Sequence, residues 1–270
     1  MPNANEIKAQ DLKHNIMLLG TTGSGKTAQV LTLPGRTFCY LFDPNAIHTL
    51  VGHDVEYEEF VASEFNIAAQ SLTKGRSDKA TILKLEDIYG KFVDDINGKV
   101  SSGFFKEVDY VIFDSFTTFG DIVLDRVMEL NGRLGQQPQQ DDWAAQMITI
   151  KSVIRELIGQ KVKVICTGHV EYKQDGEAGP YFNQIRLTGN LRTLMPLLFS
   201  DILFCDVDSA GKYTMQTMKD RKNPTIRCTL RDANGVKLPK IVDVTIPNEA
   251  WGDPKGYGLG ALINNHHKGN

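Results

Sequence analysis

The chain has 270 residues, room for one large α/β domain with embellishments, and its 41% hydrophobic and 23% charged residues are those of a globular protein. No run approaches the roughly 18 apolar residues of a membrane-spanning helix, and Met1-Pro2-Asn3-Ala4-Asn5 starts no apolar leader, so the expectation is a cytoplasmic protein with no membrane partner. A formal net charge of −3 argues against the broad basic face of a dedicated duplex-DNA binder.

Asn15–Leu19 reads as an apolar first strand and Lys26–Thr32 as the helix that follows. Joining them, Gly20-Thr21-Thr22-Gly23-Ser24-Gly25-Lys26-Thr27 has the form G-x-x-x-x-G-K-T, the phosphate-binding loop. Its glycines let the backbone curl so that N–H groups face an anion, and the helix directs its positive end at the same point. Lys26 would neutralise the β- and γ-phosphates, and the Thr27 hydroxyl would take a position on Mg²⁺.

A second apolar run, Thr37–Phe42, ends at Asp43-Pro44, and the acidic stretch His53–Phe65 reads as irregular. Ser77-Asp78 would cap a helix carrying Ile82, Leu85, Ile88, Tyr89, Phe92 and Ile96 at helical spacing. Val108–Phe113 is a third strand, Gly120–Leu130 a helix and Asn131–Asp141 a loop, after which Asp141 or Asp142 would cap a helix over Trp143–Ile158. Val162–Cys166 and Asp201–Val207 are the fourth and fifth strands, with short hairpins beyond, turning at Ser209-Ala210-Gly211 and Ala233-Asn234-Gly235. Alternating strands and helices predict an α/β fold: a mostly parallel sheet flanked by helices, with antiparallel hairpin strands at its C-terminal edge. Residues 1–250 would form this domain and 251–270 a Gly/Asn-rich tail, mobile at its end, with His266-His267 in solvent. Cys39, Cys166, Cys205 and Cys228 sit singly, as buried reduced thiols rather than metal ligands or disulfides.

Val111-Ile112-Phe113 followed by Asp114 has the form of the second nucleotide-site element, an apolar strand whose terminal Asp holds Mg²⁺. Asp43 and Asp206 end comparable strands and compete for that role; Asp114 is preferred because Ser115-Phe116-Thr117-Thr118 supplies hydroxyls beyond it. A GTPase would carry D-x-x-G here and [NT]-K-x-D further on, and neither is present, which favours ATP with Mg²⁺.

Cys166-Thr167-Gly168-His169-Val170, then Gly176-Glu177-Ala178-Gly179-Pro180, then Lys219-Asp220-Arg221-Lys222-Asn223-Pro224 follow an order, G-H-V, A-G-P, K-x-R, that resembles the RecA-type ATPase core of RadA. Tyr40-Leu41-Phe42-Asp43-Pro44-Asn45-Ala46 with Tyr57-Glu58-Glu59-Phe60 is similar to the phage-encoded AAA/RecA-like nucleotide-binding proteins found beside recombination genes. The resemblance spans about Ile16 to Pro224 and implies a RecA-like P-loop ATPase in a bacterial host. It implies that His169 senses the γ-phosphate and that Lys219 and Arg221 reach a neighbouring subunit's ATP in a homo-oligomer. Side chains two apart on a strand share one face, which would let both cations meet one phosphate cluster.

Asn131–Asp141 and Val170–Gly189 fall where such proteins hold single-stranded DNA, with Arg133, Lys173 and Arg186 as cations and Tyr172, Tyr181 and Phe182 available to stack on bases. One departure matters. The family carries a catalytic glutamate just after the second strand, where this chain has Asn45, and an amide cannot accept a proton from water as a carboxylate does. Either Glu56, Glu58 or Glu59 supplies the base or hydrolysis is slow. The leading expectation is an ATPase of DNA recombination that binds single-stranded DNA when charged with nucleotide. A slow nucleotide-dependent switch or loader and a small-molecule P-loop kinase are the alternatives.

Overall fold

The computed structural model describes residues 13–61, 87–160, 162–177 and 179–268. Its strands are β1 (Ile16–Gly20), β2 (Thr37–Leu41), β3 (Glu56–Glu59), β4 (Tyr110–Asp114), β5 (Lys163–Gln174), β6 (Tyr181–Ile185), β7 (Asp201–Val207), β8 (Tyr213–Gln216) and β9 (Ile241–Asp243). Its helices are α1 (Lys26–Val30), α2 (Ile47–Leu50), α3 (Ile88–Ser102), α4 (Phe116–Leu130), α5 (Gln140–Gly159), α6 (Leu191–Leu194) and α7 (Gly258–Lys268). The strands form one sheet in the order β3-β2-β4-β5-β1-β7-β8-β9, with β6 paired to the far end of β5. From β3 to β7 every pairing is parallel, and β8 and β9 turn antiparallel at the C-terminal edge. The α/β fold read from the sequence is the fold observed.

Strict alternation along the central strands explains the two layers of helices. Met17, Leu19, Phe38, Tyr40, Val111, Phe113, Val164 and Cys166 enter one core, and the third, fourth and fifth helices cover it with Phe92, Phe116, Phe119, Ile150 and Ile154. Ile16, Leu18, Cys39, Leu41, Tyr110, Ile112 and Ile165 enter the other, with Val30 and Leu31 of α1 and Leu259, Leu262 and Ile263 of α7. A sheet buried on both faces reads as unbroken apolar strands, as these do.

Several expectations are corrected. Glu56–Glu59, read as irregular, is an exposed edge strand paired to β2. Val170–Gly189, read as a loop, contains a hairpin, because β5 continues past the sheet to Gln174 and β6 returns against it. The fourth helix starts at Phe116 rather than Gly120, since Ser115 caps it. The fifth starts at Gln140 behind a capping box of Gln139 and Asp142. Ile88, Phe92 and Ile96 form the buried face expected of the third helix, whose cap is Asp87; Ser77 and Asp78 lie outside the described residues.

The largest correction is at the C-terminus. Residues 258–268, read as the end of a tail, form α7, and His266, expected in solvent, is buried with its ring 4.7 Å from that of His14. Its Nδ1 accepts the Arg231 N–H at 3.1 Å, while His14 Nδ1 lies 2.8 Å from a buried Asp201 carboxylate oxygen. Cys39, Cys166 and Cys205 are buried free thiols as expected, and Cys228 is partly so. Among the described residues no helix is long and apolar enough to cross a membrane.

Candidate functional site

In parallel sheets the strand ends and the loops after them gather at one edge, and here β1, β2, β4 and β5 deliver Gly20, Asp43, Asp114 and His169 to it. A cavity of about 370 Å³ opens there, lined by residues 22–28 of the glycine loop, by Asp43–Ala46 and Thr49, and by Asp114, His169, Tyr213 and Trp251. Gly23 and Gly25 hold φ of 77° and 82°, the left-handed region that favours glycine, so the curl expected of the loop is present. Gly20 is required for another reason: a Cβ there would lie 2.5 Å from the Cys205 carbonyl oxygen.

Lys26 is buried, and its Nζ donates to the carbonyls of Gly20 at 3.1 Å and Thr21 at 2.7 Å. Burial lowers its pKa, while the nearby charges of Asp114 and Asp43 act the other way. The Thr27 hydroxyl donates to Asp114 Oδ2 at 2.8 Å, and the Thr167 hydroxyl donates to the other oxygen of the same carboxylate. Burial raises the Asp114 pKa, and the negative charge of Asp43 adds to this against the two hydroxyl donors and Lys26. The loop, Thr27 and Asp114 are therefore brought together at one cavity. Asp206, one competitor, is exposed and does not line the cavity.

Asp43, the other competitor, faces the cavity with a donor set of its own. Ser115 Oγ donates to Oδ1 at 2.7 Å, the Thr118 hydroxyl donates to the same oxygen, and His169 Nε2 stands 3.1 Å from Oδ2. Burial alone would raise the Asp43 pKa, but hydrogen bonds from His169, Thr118 and Ser115 outweigh it and hold the carboxyl below its usual range. The backbone supports the same arrangement, since the Phe42 N–H donates to the Asp114 carbonyl at 2.6 Å. Phe42 and Phe113, each next in sequence to one of the two carboxylates, pack with Phe119 at ring-centroid distances of 4.8–5.1 Å.

Asn45 also lines the cavity, with φ of 68°. Glu56, Glu58 and Glu59, the alternative bases, sit on the exposed edge strand and do not line it; Glu56 is bonded to Arg36 at 2.5 Å. Lys219 and Arg221 are likewise outside the cavity. They are exposed, and they lie beyond the end of β8 at Gln216, so strand geometry does not give them a common face. Asp220 between them is tied to Lys240 at 2.7 Å.

The three loop cations expected to meet DNA are ion-paired within the chain. Arg133 bonds the buried Asp142, Lys173 lies 3.3 Å from Glu171, and Arg186 lies 3.7 Å from Asp121. Tyr172 and Tyr181 are exposed on the β5–β6 hairpin, and Phe182 is partly buried. The sequence reading missed Tyr213 and Trp251 at the cavity and the buried Thr167 that supports Asp114, and gave Asp43 only a competing role. The signal for Asp43 was present, because its apolar strand ends in Asp just as β4 does.

A glycine loop at the end of a parallel strand, a helix behind it and a carboxylate on the loop's threonine define a nucleotide-binding P-loop protein. Residues 12–227 match the AAA domain family, and the chain belongs to that family. Among solved structures it is similar to a KaiC-like protein of the hyperthermophilic archaeon Pyrococcus horikoshii OT3, at 12% identity over 77% of this chain and 80% of that one, with a TM-score of 0.37. No curated protein matches it.

Proposed function

We propose that this protein is a RecA-like ATPase that hydrolyses ATP by in-line attack of water on the γ-phosphate. The observation that carries the reading is the pair of carboxylates beside one phosphate loop, each with separate partners. Asp114 is bonded to Thr27, and Asp43 to His169. The residues fit a metal ion as well as a triphosphate, since two carboxylates against one lysine leave the cavity short of positive charge. Thr27 and Asp114 would hold Mg²⁺, which when bound neutralises charge on the β- and γ-phosphates.

Backbone N–H groups of residues 20–27 and the Lys26 ammonium bind and orient the phosphates. Asp43 takes the role that the family resemblance assigns to the position of Asn45. Its ionised carboxylate accepts the proton of the attacking water, and Ser115, Thr118 and His169 keep it ionised and aimed. His169 lies within β5, which runs unbroken into the hairpin bearing Tyr172 and Tyr181, so a change at the γ-phosphate has a rigid route to an exposed aromatic surface. Lys219 and Arg221 would serve the ATP of the next subunit in a homo-oligomer, and the tyrosines would stack on single-stranded DNA in recombination.

The test is phosphate release with and without single-stranded DNA, with Lys26→Ala alongside. The wild-type chain is expected to turn over ATP and to be stimulated by DNA. Lys26→Ala is expected to lose nucleotide binding, since one charge-assisted buried contact is worth about 1.5–3 kcal/mol or more. Turnover indifferent to DNA would remove the recombination role, and unchanged ATP affinity in Lys26→Ala would overturn the site.

A further inference from the structure

The segment after β9 is fastened to the helix behind the phosphate loop. Gln29 Nε2 donates to the Val244 carbonyl at 3.0 Å, and the Gln29 side-chain oxygen accepts the Leu259 N–H at 2.8 Å. The Gly260 N–H donates to Thr32 Oγ1 at 2.9 Å. Between these anchors a short 3-10 turn, Asn248–Ala250, ends at Trp251, which lines the cavity together with Asn45, Ala46 and Thr49.

Trp251 belongs to neither core cluster and is 36% exposed, so packing does not account for it. The nearest ring among the described residues is that of His53, at 6.4 Å. The charged lining of the cavity is confined to Lys26, Asp43 and Asp114, with the His169 imidazole beside them; Pro44, Ala46, Thr49, Tyr213 and Trp251 carry no charge, as suits a planar heterocycle. Tyr213 is already committed, because its Cδ1 lies 2.7 Å from where a Cβ on Gly25 would stand, so it braces the loop.

We propose that Trp251 is the stacking platform for the base of the bound nucleoside triphosphate, held in place by the clasp of the C-terminal segment on Gln29 and Thr32. The inference rests on the triphosphate reading above. It makes Trp251 part of the ligand site and the segment that anchors it more than an appendage. An indole offers a flat apolar face, and base stacking on an aromatic side chain strengthens binding without reading the edge of the base.

The chain contains two tryptophans, so Trp143→Phe leaves Trp251 as the sole indole reporter. In that variant ATP is expected to change the fluorescence saturably, and inorganic tripolyphosphate to compete for the site without the change. Trp251→Ala is expected to weaken ATP binding by about tenfold or more. Its tripolyphosphate affinity is expected to stay put, and Trp251→Phe to keep most of the ATP affinity. An ATP affinity within about twofold of wild type in a Trp251→Ala chain that still binds tripolyphosphate would overturn the platform. So would equal fluorescence changes with both ligands, a result read on the unmutated site whatever the folding of the alanine variant. Failure of both ligands to bind the wild-type chain would instead overturn the triphosphate reading.

Discussion

His169 and Asp43, 126 positions apart, meet at 3.1 Å between Nε2 and Oδ2 in the lining of the phosphate-loop cavity. The contact joins the end of β2 to the middle of β5, the longest strand among the described residues, and the Asp43 carboxylate is completed by two hydroxyls from the start of the fourth helix. A carboxylate tethered from three directions is already ionised and oriented before any ligand arrives.

Asp43→Asn should therefore reduce ATP turnover by about 10²–10⁴-fold, the usual contribution of a general base, while ATP affinity changes little. Because its hydrogen bonds hold the Asp43 carboxyl below the usual carboxylate range, the acid limb attributable to it should fall below about pH 4. Asn45→Ala should change turnover little. Single-turnover measurements separate the two, and a collapse with Asn45→Ala but not Asp43→Asn would return the base to the position the family resemblance suggests.

The phosphate loop was legible because its chemistry admits few residues: φ near 80° demands glycine at 23 and 25, and the charge demands Lys26. Asp43 was legible only as one of several strand-ending aspartates, since its hydroxyl and imidazole partners come from residues 115–169 and only folding brings them near. The strand Glu56–Glu59 has no apolar face to give period two; its pairing to β2 at an edge makes it a strand. The C-terminal helix hid for a similar reason. Gly258, Gly260, Asn264 and Asn265 are poor helix formers, and tertiary burial of Leu259, Leu262 and Ile263 overrides that preference.

Arg133 was expected on a DNA-contacting loop, and its ion pair with Asp142 argues for a different task. Arg133, the Gln139 N–H and Asn131 hold the Asp142 carboxyl at about 2. A folded-state pKa below the unfolded value of about 3.9 means that the stabilisation is complete above that pH and is lost as pH falls toward 2. Asp142→Asn should lower the unfolding midpoint at pH 7 and flatten its decline in acid. Arg133→Ala should lower the midpoint too, yet leave affinity for single-stranded DNA unchanged. A selective loss of DNA affinity at full stability would reinstate the loop as a contact.

Lys219 and Arg221 are exposed and stand outside their own chain's cavity, so substituting them should spare ATP binding in the isolated subunit. If they complete a neighbour's site, they act on the transition state, and Arg221→Ala should cut turnover on the order of 10³-fold. Mixing Lys26→Ala with Arg221→Ala chains should restore part of the activity, because one pairing joins an intact loop to an intact cation. Mixed oligomers that form without recovering turnover would eliminate the role in trans.

The contact between Gly260 and Thr32 leaves no room for a side chain, since a Cβ on Gly260 would lie 1.7 Å from the Thr32 carbonyl oxygen. That neighbour is backbone, so neither side can yield by rotating a side chain. Gly260→Ala must then push α7 off the phosphate-loop helix and uncover Leu259 and Leu262, which are 0% and 7% exposed. At about 1.5–3 kcal/mol for each large apolar side chain, the loss should reach about 3 kcal/mol or more. Gly252→Ala is the matched control, because it sits in open space in the same segment and should shift stability by no more than about 0.5 kcal/mol. Denaturant unfolding of the two variants distinguishes a docked helix from a dispensable tail. Indistinguishable midpoints would mean that α7 is not held against Thr32 in solution, and the placement of Trp251 at the cavity would lose its anchor with it.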